Sequence, residues 1–240
     1  MLFQRQTVMY IITQFDNRTV LCYNACMSTV YISETANPLL INYLKQQGHT
    51  VSIIEMSDIT YKPVSSHPDI YMCSMGPGRP VFFGCYEKIG SKYPENIIYN
   101  AACTGKYFIH NIKYTDPELL AIVKPLEIID VPQGYTKCNT LIVDENSIIT
   151  SDFGIYNSCY GKHLEVLLIE KGHIKLQGFD YGFIGGTSGR VGDKIIFNGD
   201  ITQHPDYDKI AAFIKSRGLK LKYFTEYPLE DIGSIIENPD

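Results

Sequence analysis

Thiols and carboxylates are the groups in this sequence whose types and spacing could do chemistry. Cys138 ends the phrase Gly134-Tyr135-Thr136-Lys137-Cys138 and opens an expected strand. A thiol there attacks an electrophilic carbon when a cationic neighbour or a helix terminus lowers its pKa. Without such a neighbour it is a small apolar side chain in a packed strand. Cys73 and Cys103 carry the same two readings. Asp69, in His67-Pro68-Asp69, starts an expected strand with no helix immediately after it, so it serves either a turn or a central site. Asp152 and Asp200 follow matching phrases, Ile149-Thr150-Ser151-Asp152 and Ile196-Phe197-Asn198-Gly199-Asp200, and either cap what comes next or face a ligand. Glycine is densest from Gly172 to Gly182 and at Gly185-Gly186, where freed N–H groups make either an anion cradle or a bulged turn. No His/Cys spacing of a metal site occurs, and no phosphate loop follows a strand, so neither a metal nor a nucleotide cofactor is expected.

The elements that must position these residues form an internal repeat. Four segments run from a helix through a Gly or Pro stop into an apolar strand. The stops are Gly48, Pro125, Gly161 and Gly218, and the strands are centred on Val51-Ser52-Ile53-Ile54, Leu126-Glu127-Ile128-Ile129, Val166-Leu167-Leu168-Ile169 and Leu219-Lys220-Leu221. Asn37-Pro38, Asp116-Pro117 and His204-Pro205 mark helix starts, where the missing proline N–H has no intrahelical partner to lose. Upstream lie strand pairs, Asn139 to Val143 with Ser147 to Thr150 and Phe183 to Val191 with Lys194 to Phe197. A fifth unit is expected at Asp69 to Cys73 and Val81 to Cys85, with a weak helix near Glu87 to Lys92. The unit therefore reads strand, strand, helix, strand.

Composition bounds the possibilities. The 240 residues, 45% apolar and 20% charged, suit a soluble globular protein with a sizeable core. A net charge of -5 with dispersed basic residues excludes nucleic acid and anionic membranes as partners. Seven cysteines without a CxxC pair in so long a chain point to the cytoplasm rather than to a disulfide framework. Residues 1–26 have no clear period and precede the first well-formed strand, so they are expected to be an extension, with Met27 as start and residues 27–240 as one domain.

Five such units resemble the pentein fold, the five-bladed αβ propeller of the guanidino-group-modifying enzymes. Asn100-Ala101-Ala102-Cys103, Gly134-Tyr135-Thr136-Lys137-Cys138, Ile148-Ile149-Thr150-Ser151-Asp152 and Gly182-Phe183-Ile184-Gly185-Gly186 are similar to phrases of a bacterial family of undefined activity with this fold. The resemblance implies pseudo-fivefold units around a central channel. It also implies a hydrolase-like reaction on a small guanidine-, amidine- or amide-containing metabolite. In that chemistry Cys138 or an activated water attacks, His173 in Lys171-Gly172-His173 moves the proton, and Asp69 and Asp152 grip the cationic substrate. Asn100, Gly185, Gly186 and Asp200 complete the expected ligand-binding set. One departure stands out. The deiminases place their cysteine in the last unit, and here no cysteine follows Cys159. The other reading the resemblance allows is a non-catalytic pentein that binds a ligand or a protein.

Overall fold

A computed structural model describes residues 28–239. The extension expected over residues 1–26 lies outside the described residues.

The chain begins with strand β1 (Thr29–Ser33), whose Val30 and Ile32 are fully buried. Helix α1 (Pro38–Gln46) starts where Asn37 Oδ1 accepts from the Leu39 N–H (2.9 Å) and buries Leu40 and Leu44 on one face against β1. Gly48, at φ +90°, ends that turn and releases the chain into β2 (Thr50–Ile54), parallel to β1. A helical turn α2 (Pro68–Tyr71) then leads into the antiparallel pair β3 (Met72–Ser74) and β4 (Val81–Phe83). This unit has no third strand, and its expected weak helix is a single 3-10 turn at Tyr86–Lys88.

The grammar returns in full three times. Strands β5 (Ala102–Cys103) and β6 (Tyr107–His110) pair antiparallel, and α3 (Pro117–Val123), capped by Asp116, crosses to β7 (Glu127–Asp130), parallel to β6. A second short helical turn, α4 (Thr136–Asn139), precedes β8 (Thr140–Asp144) and β9 (Ser147–Thr150). Helix α5 (Phe153–Cys159) then leads to β10 (Glu165–Leu168). In the last repeat β11 (Ser188–Val191) pairs with β12 (Lys194–Phe197), and α6 (Tyr207–Ser216) crosses to β13 (Lys220–Lys222). Strand β14 (Ile236–Asn238) closes the chain by pairing antiparallel with β1.

The result, among the described residues, is mixed α/β with five small sheets. The leading strand of each, β14, β3, β5, β8 and β11, lies against the leading strands of two other sheets: β3 against β14 and β5, β8 against β5 and β11, and β11 against β14. The apolar core fills the spaces between sheets and helices, with Ile32, Leu40, Tyr107, Phe108, Leu119 and Phe197 among its fully buried side chains. Each such aliphatic or aromatic side chain contributes roughly 1.5–3 kcal/mol by leaving water. No described helix is long and apolar enough to cross a membrane.

Three local expectations change. Asp69 and Cys138 do not open strands; they sit in α2 and α4, one turn ahead of β3 and β8. The last hairpin starts at Ser188 rather than Phe183, because residues 183–187 form a turn in which Thr187 N–H reaches Phe183 O (3.1 Å). Helix α6 starts at Tyr207 instead of at Pro205, which occupies the preceding turn, and Asp206 stands at its N-terminus.

Candidate functional site at the meeting of five turns

Each leading strand is entered through a buried turn, and the five turns bond to one another. Asp69 N–H donates to Gly233 O (3.2 Å), and Asn100 Nδ2 donates to Asp69 O (3.2 Å). Lys137 N–H donates to Asn100 O (3.0 Å), Gly186 N–H to Cys138 O (2.8 Å), and Ser234 N–H to Gly186 O (2.8 Å). These bonds join the turns before β14, β3, β5, β8 and β11 into a closed ring. Backbone groups that would otherwise be buried without partners are satisfied inside it.

The turn before β14 is the most constrained. Gly233 (φ +71°) and Ser234 (φ +81°) both take left-handed backbone, and the Asp231 carboxylate secures them by accepting from Gly233 N–H (2.9 Å) and Phe183 N–H (2.9 Å). Close approach explains two of the expected glycines. A Cβ on Gly185 would stand 2.1 Å from Lys137 O, and one on Gly186 would stand 2.1 Å from Asp231 Oδ1. Both glycines therefore serve the assembly of the ring.

The side chains inside the ring form one polar cluster. Cys138 Sγ donates to Asp69 Oδ2 (3.0 Å), and the Ser234 hydroxyl lies 2.7 Å from the same oxygen. Lys137 Nζ donates to Ser234 Oγ (3.0 Å) and to Gly185 O (3.3 Å). Asn100 accepts the Lys137 N–H (2.9 Å) and the Cys138 N–H (3.3 Å) at Oδ1, and its Nδ2 lies 3.3 Å from Cys138 Sγ. His67, just ahead of α2, packs its Cβ against Gly233. All of these residues are buried, and two polar atoms among them, Asp69 Oδ1 and His67 Nδ1, have no hydrogen-bond partner.

Burial sets the charge states. It pushes the Asp69 carboxyl upward, against the pull of His67 and Lys137, and raises Asp231 to about 6. Burial also lowers Lys137, although the Asp69 charge opposes this, and lowers His67 to about 4, so that imidazole is neutral at pH 7. The Cys138 thiol is pushed well above its ordinary value by burial and then by the charges of Asp69 and Asp231. This thiol is a donor with its proton in place, and its electrostatic setting opposes thiolate formation.

The remaining expected residues lie elsewhere. Asp152 accepts the Ile155 N–H (2.8 Å) as the cap of α5 and the Gln133 side-chain amide (3.0 Å). Asp200 accepts the Thr202 N–H (3.0 Å) ahead of the 3-10 turn Ile201–Gln203. Both follow the second strand of a unit, whereas the ring is built from turns that precede the first. His173 contacts the Glu170 carboxylate (3.2 Å) and the ring of His204, with centroids 5.2 Å apart, in a partly exposed cluster separate from Cys138. The structure brings together Asp69, Cys138, Asn100, Gly185 and Gly186. It adds His67, Lys137, Asp231 and Ser234, which the repeat could have indicated by their place just before a leading strand.

Beside Lys137 is a cavity of about 30 Å³, lined also by Ser74, Gly78, Gly189, Arg190 and Glu237. That is room for about two waters, far below the ~300 Å³ at which small-molecule pockets begin. His67, Asp69 and Cys138 each offer one ligating atom, all within 4.8 Å of one another.

The family model described as "Family of unknown function (DUF6873)" matches residues 80–236. That span contains Asn100, Lys137, Cys138, Gly185 and Ser234 and begins after His67 and Asp69. No curated protein and no solved structure matches the chain.

Proposed function

The chain belongs to the DUF6873 family, and we propose that it is a cytoplasmic pentein-type αβ propeller whose centre binds a small ligand instead of performing cysteine-dependent deimination. The cyclic contact of the five leading strands supports the propeller reading. The observation that carries the binding reading is the closed ring of turns with two buried polar atoms that have no hydrogen-bond partner, Asp69 Oδ1 and His67 Nδ1. Buried polar atoms left without partners cost about 1–3 kcal/mol each, so a ring that keeps two of them has something to gain from a ligand. The thiols of Cys73, Cys103, Cys138 and Cys159 are buried and free, which suits a reducing compartment.

A second reading rests on one contact. Neutral His67 has a ring nitrogen within 4.8 Å of the Cys138 thiol, which places a base beside it. Thiolate attack on the central carbon of a small guanidine, amidine or amide, C–N cleavage releasing ammonia or an amine, and hydrolysis of the thiol-bound intermediate by water would then be the reaction. Thermal-shift and ammonia-release measurements on the full chain separate the two readings, using a panel of small cations, guanidines and amidines. The binding reading predicts a stabilising ligand whose effect disappears in Asp69→Asn, with no ammonia released. Release that is abolished in Cys138→Ser would replace it with the hydrolase.

A further inference from the structure

We infer that the ligand of the ring is a divalent transition-metal ion of the zinc class, held by His67 Nδ1, Asp69 Oδ1 and Cys138 Sγ. This inference deepens the binding reading and rests on it. The first argument is size. The ligating atoms of the three side chains all lie within 4.8 Å of one another, a spacing that takes a single ion and not an arginine-sized molecule. The second is the donor set: one imidazole nitrogen, one carboxylate oxygen and one thiol sulfur, mutually within 4.8 Å. Mixed N, O and S donors select zinc-like ions, whereas magnesium and calcium take oxygen.

The third argument is hydrogen bonding. Asp69 Oδ2 is already engaged by Ser234 and Cys138, but Asp69 Oδ1 and His67 Nδ1 have no partner at all. Those are the two atoms a metal would use, His67 binding through Nδ1 as the Nε2–H tautomer, and Ser234 would still hold the carboxylate by its other oxygen, as an outer hydrogen bond orienting a ligand. The fourth is charge. A divalent ion with the Asp69 carboxylate and a Cys138 thiolate sums to zero. On binding, the Cys138 S–H bond breaks, its electron pair forms the metal–sulfur bond, and the proton leaves to solvent. Three protein donors leave one coordination position for water or a small anion.

The test uses the full chain, stripped with a chelator and then titrated with zinc or cobalt(II) alone. The inference predicts one ion per chain and, with cobalt, a sulfur-to-metal charge-transfer absorption in the near ultraviolet. Cys138→Ser loses that absorption, and His67→Gln loses stoichiometric binding. Should those variants fail to fold, X-ray absorption at the zinc edge of the unaltered protein decides, with one sulfur at about 2.3 Å expected among nitrogen and oxygen ligands. No stoichiometric metal, or a bound metal with no sulfur ligand, overturns the inference. If no metal binds while a small organic cation stabilises the chain through Asp69, the metal assignment falls and the binding reading stands.

Discussion

The Cys138 thiol donates to Asp69 Oδ2 across 3.0 Å, joining residues 69 positions apart in the chain. The bond fixes the character of the ring. A thiol that donates a hydrogen bond to a buried carboxylate is held as a thiol, and the same carboxylate raises the cost of ionising it.

Gly185→Ala should be severely destabilising. Its Cβ would meet the backbone oxygens of Lys137 (2.1 Å) and Thr140 (2.4 Å), which no rotamer change can move aside. Overpacking of this kind costs ~1–3 kcal/mol where neighbours can yield, and rigid backbone puts this site at the upper end or beyond. Urea unfolding measures it; a change below about 0.5 kcal/mol would mean that the turns are not packed as described.

Removing residues 234–240 should prevent folding. The deletion takes away β14, which covers one edge of β1, and Ser234, which touches both Lys137 and Asp69. Lys137 and Asp69 would lose a buried partner, and the ring would lose one of its five turns. An amide spectrum with collapsed dispersion is the expected outcome; a well-dispersed spectrum would place the closing contacts outside the stability of the fold.

The helix boundaries were legible because they depend on neighbours in sequence. Asn37 and Asp116 cap helices whose first residue is proline, and Gly48, Gly161 and Gly218 end helical turns with positive φ. The repeat also directed attention to Asp69 and Cys138, although it placed them one turn too far along. What it could not give was the assembly of the ring, whose contacts cross long separations, 97 residues from Lys137 to Ser234 and 165 from Asp69 to Ser234. His173 stood out by a local Gly-His phrase, while His67 was passed over because only folding brings it within reach of Cys138. Asp152 and Asp200 show the converse: one residue type serves as a cap or as a site acid, and the strand it follows decides which.

Acid should weaken the fold through His110. This imidazole, buried beside Thr115 Oγ1 (2.8 Å) and Gly134 O (3.2 Å), is lowered by burial to about 4. The unfolded chain takes up the proton near 6.5, so the stability this group contributes is complete above that pH and is lost as pH falls toward 4, by about 3 kcal/mol. His67 acts in the same direction, whereas Asp231, raised to about 6, stabilises in acid and loses that contribution as pH rises through 6. Comparing His110→Gln with the unaltered protein isolates the one group. Unfolding at pH 7.5 and at pH 4.5 should show a shallower acid loss in the variant, and equal losses in the two proteins would reject the assignment.

The most direct test of a protonated, enclosed thiol at the centre is alkylation of the native protein, read residue by residue by mass spectrometry. Cys85 is exposed and Cys138 is buried in the ring. Iodoacetamide should modify Cys85 while leaving Cys138 unreacted until denaturant opens the fold. Modification of native Cys138 at a rate matching Cys85 would contradict the binding reading and favour a nucleophilic cysteine.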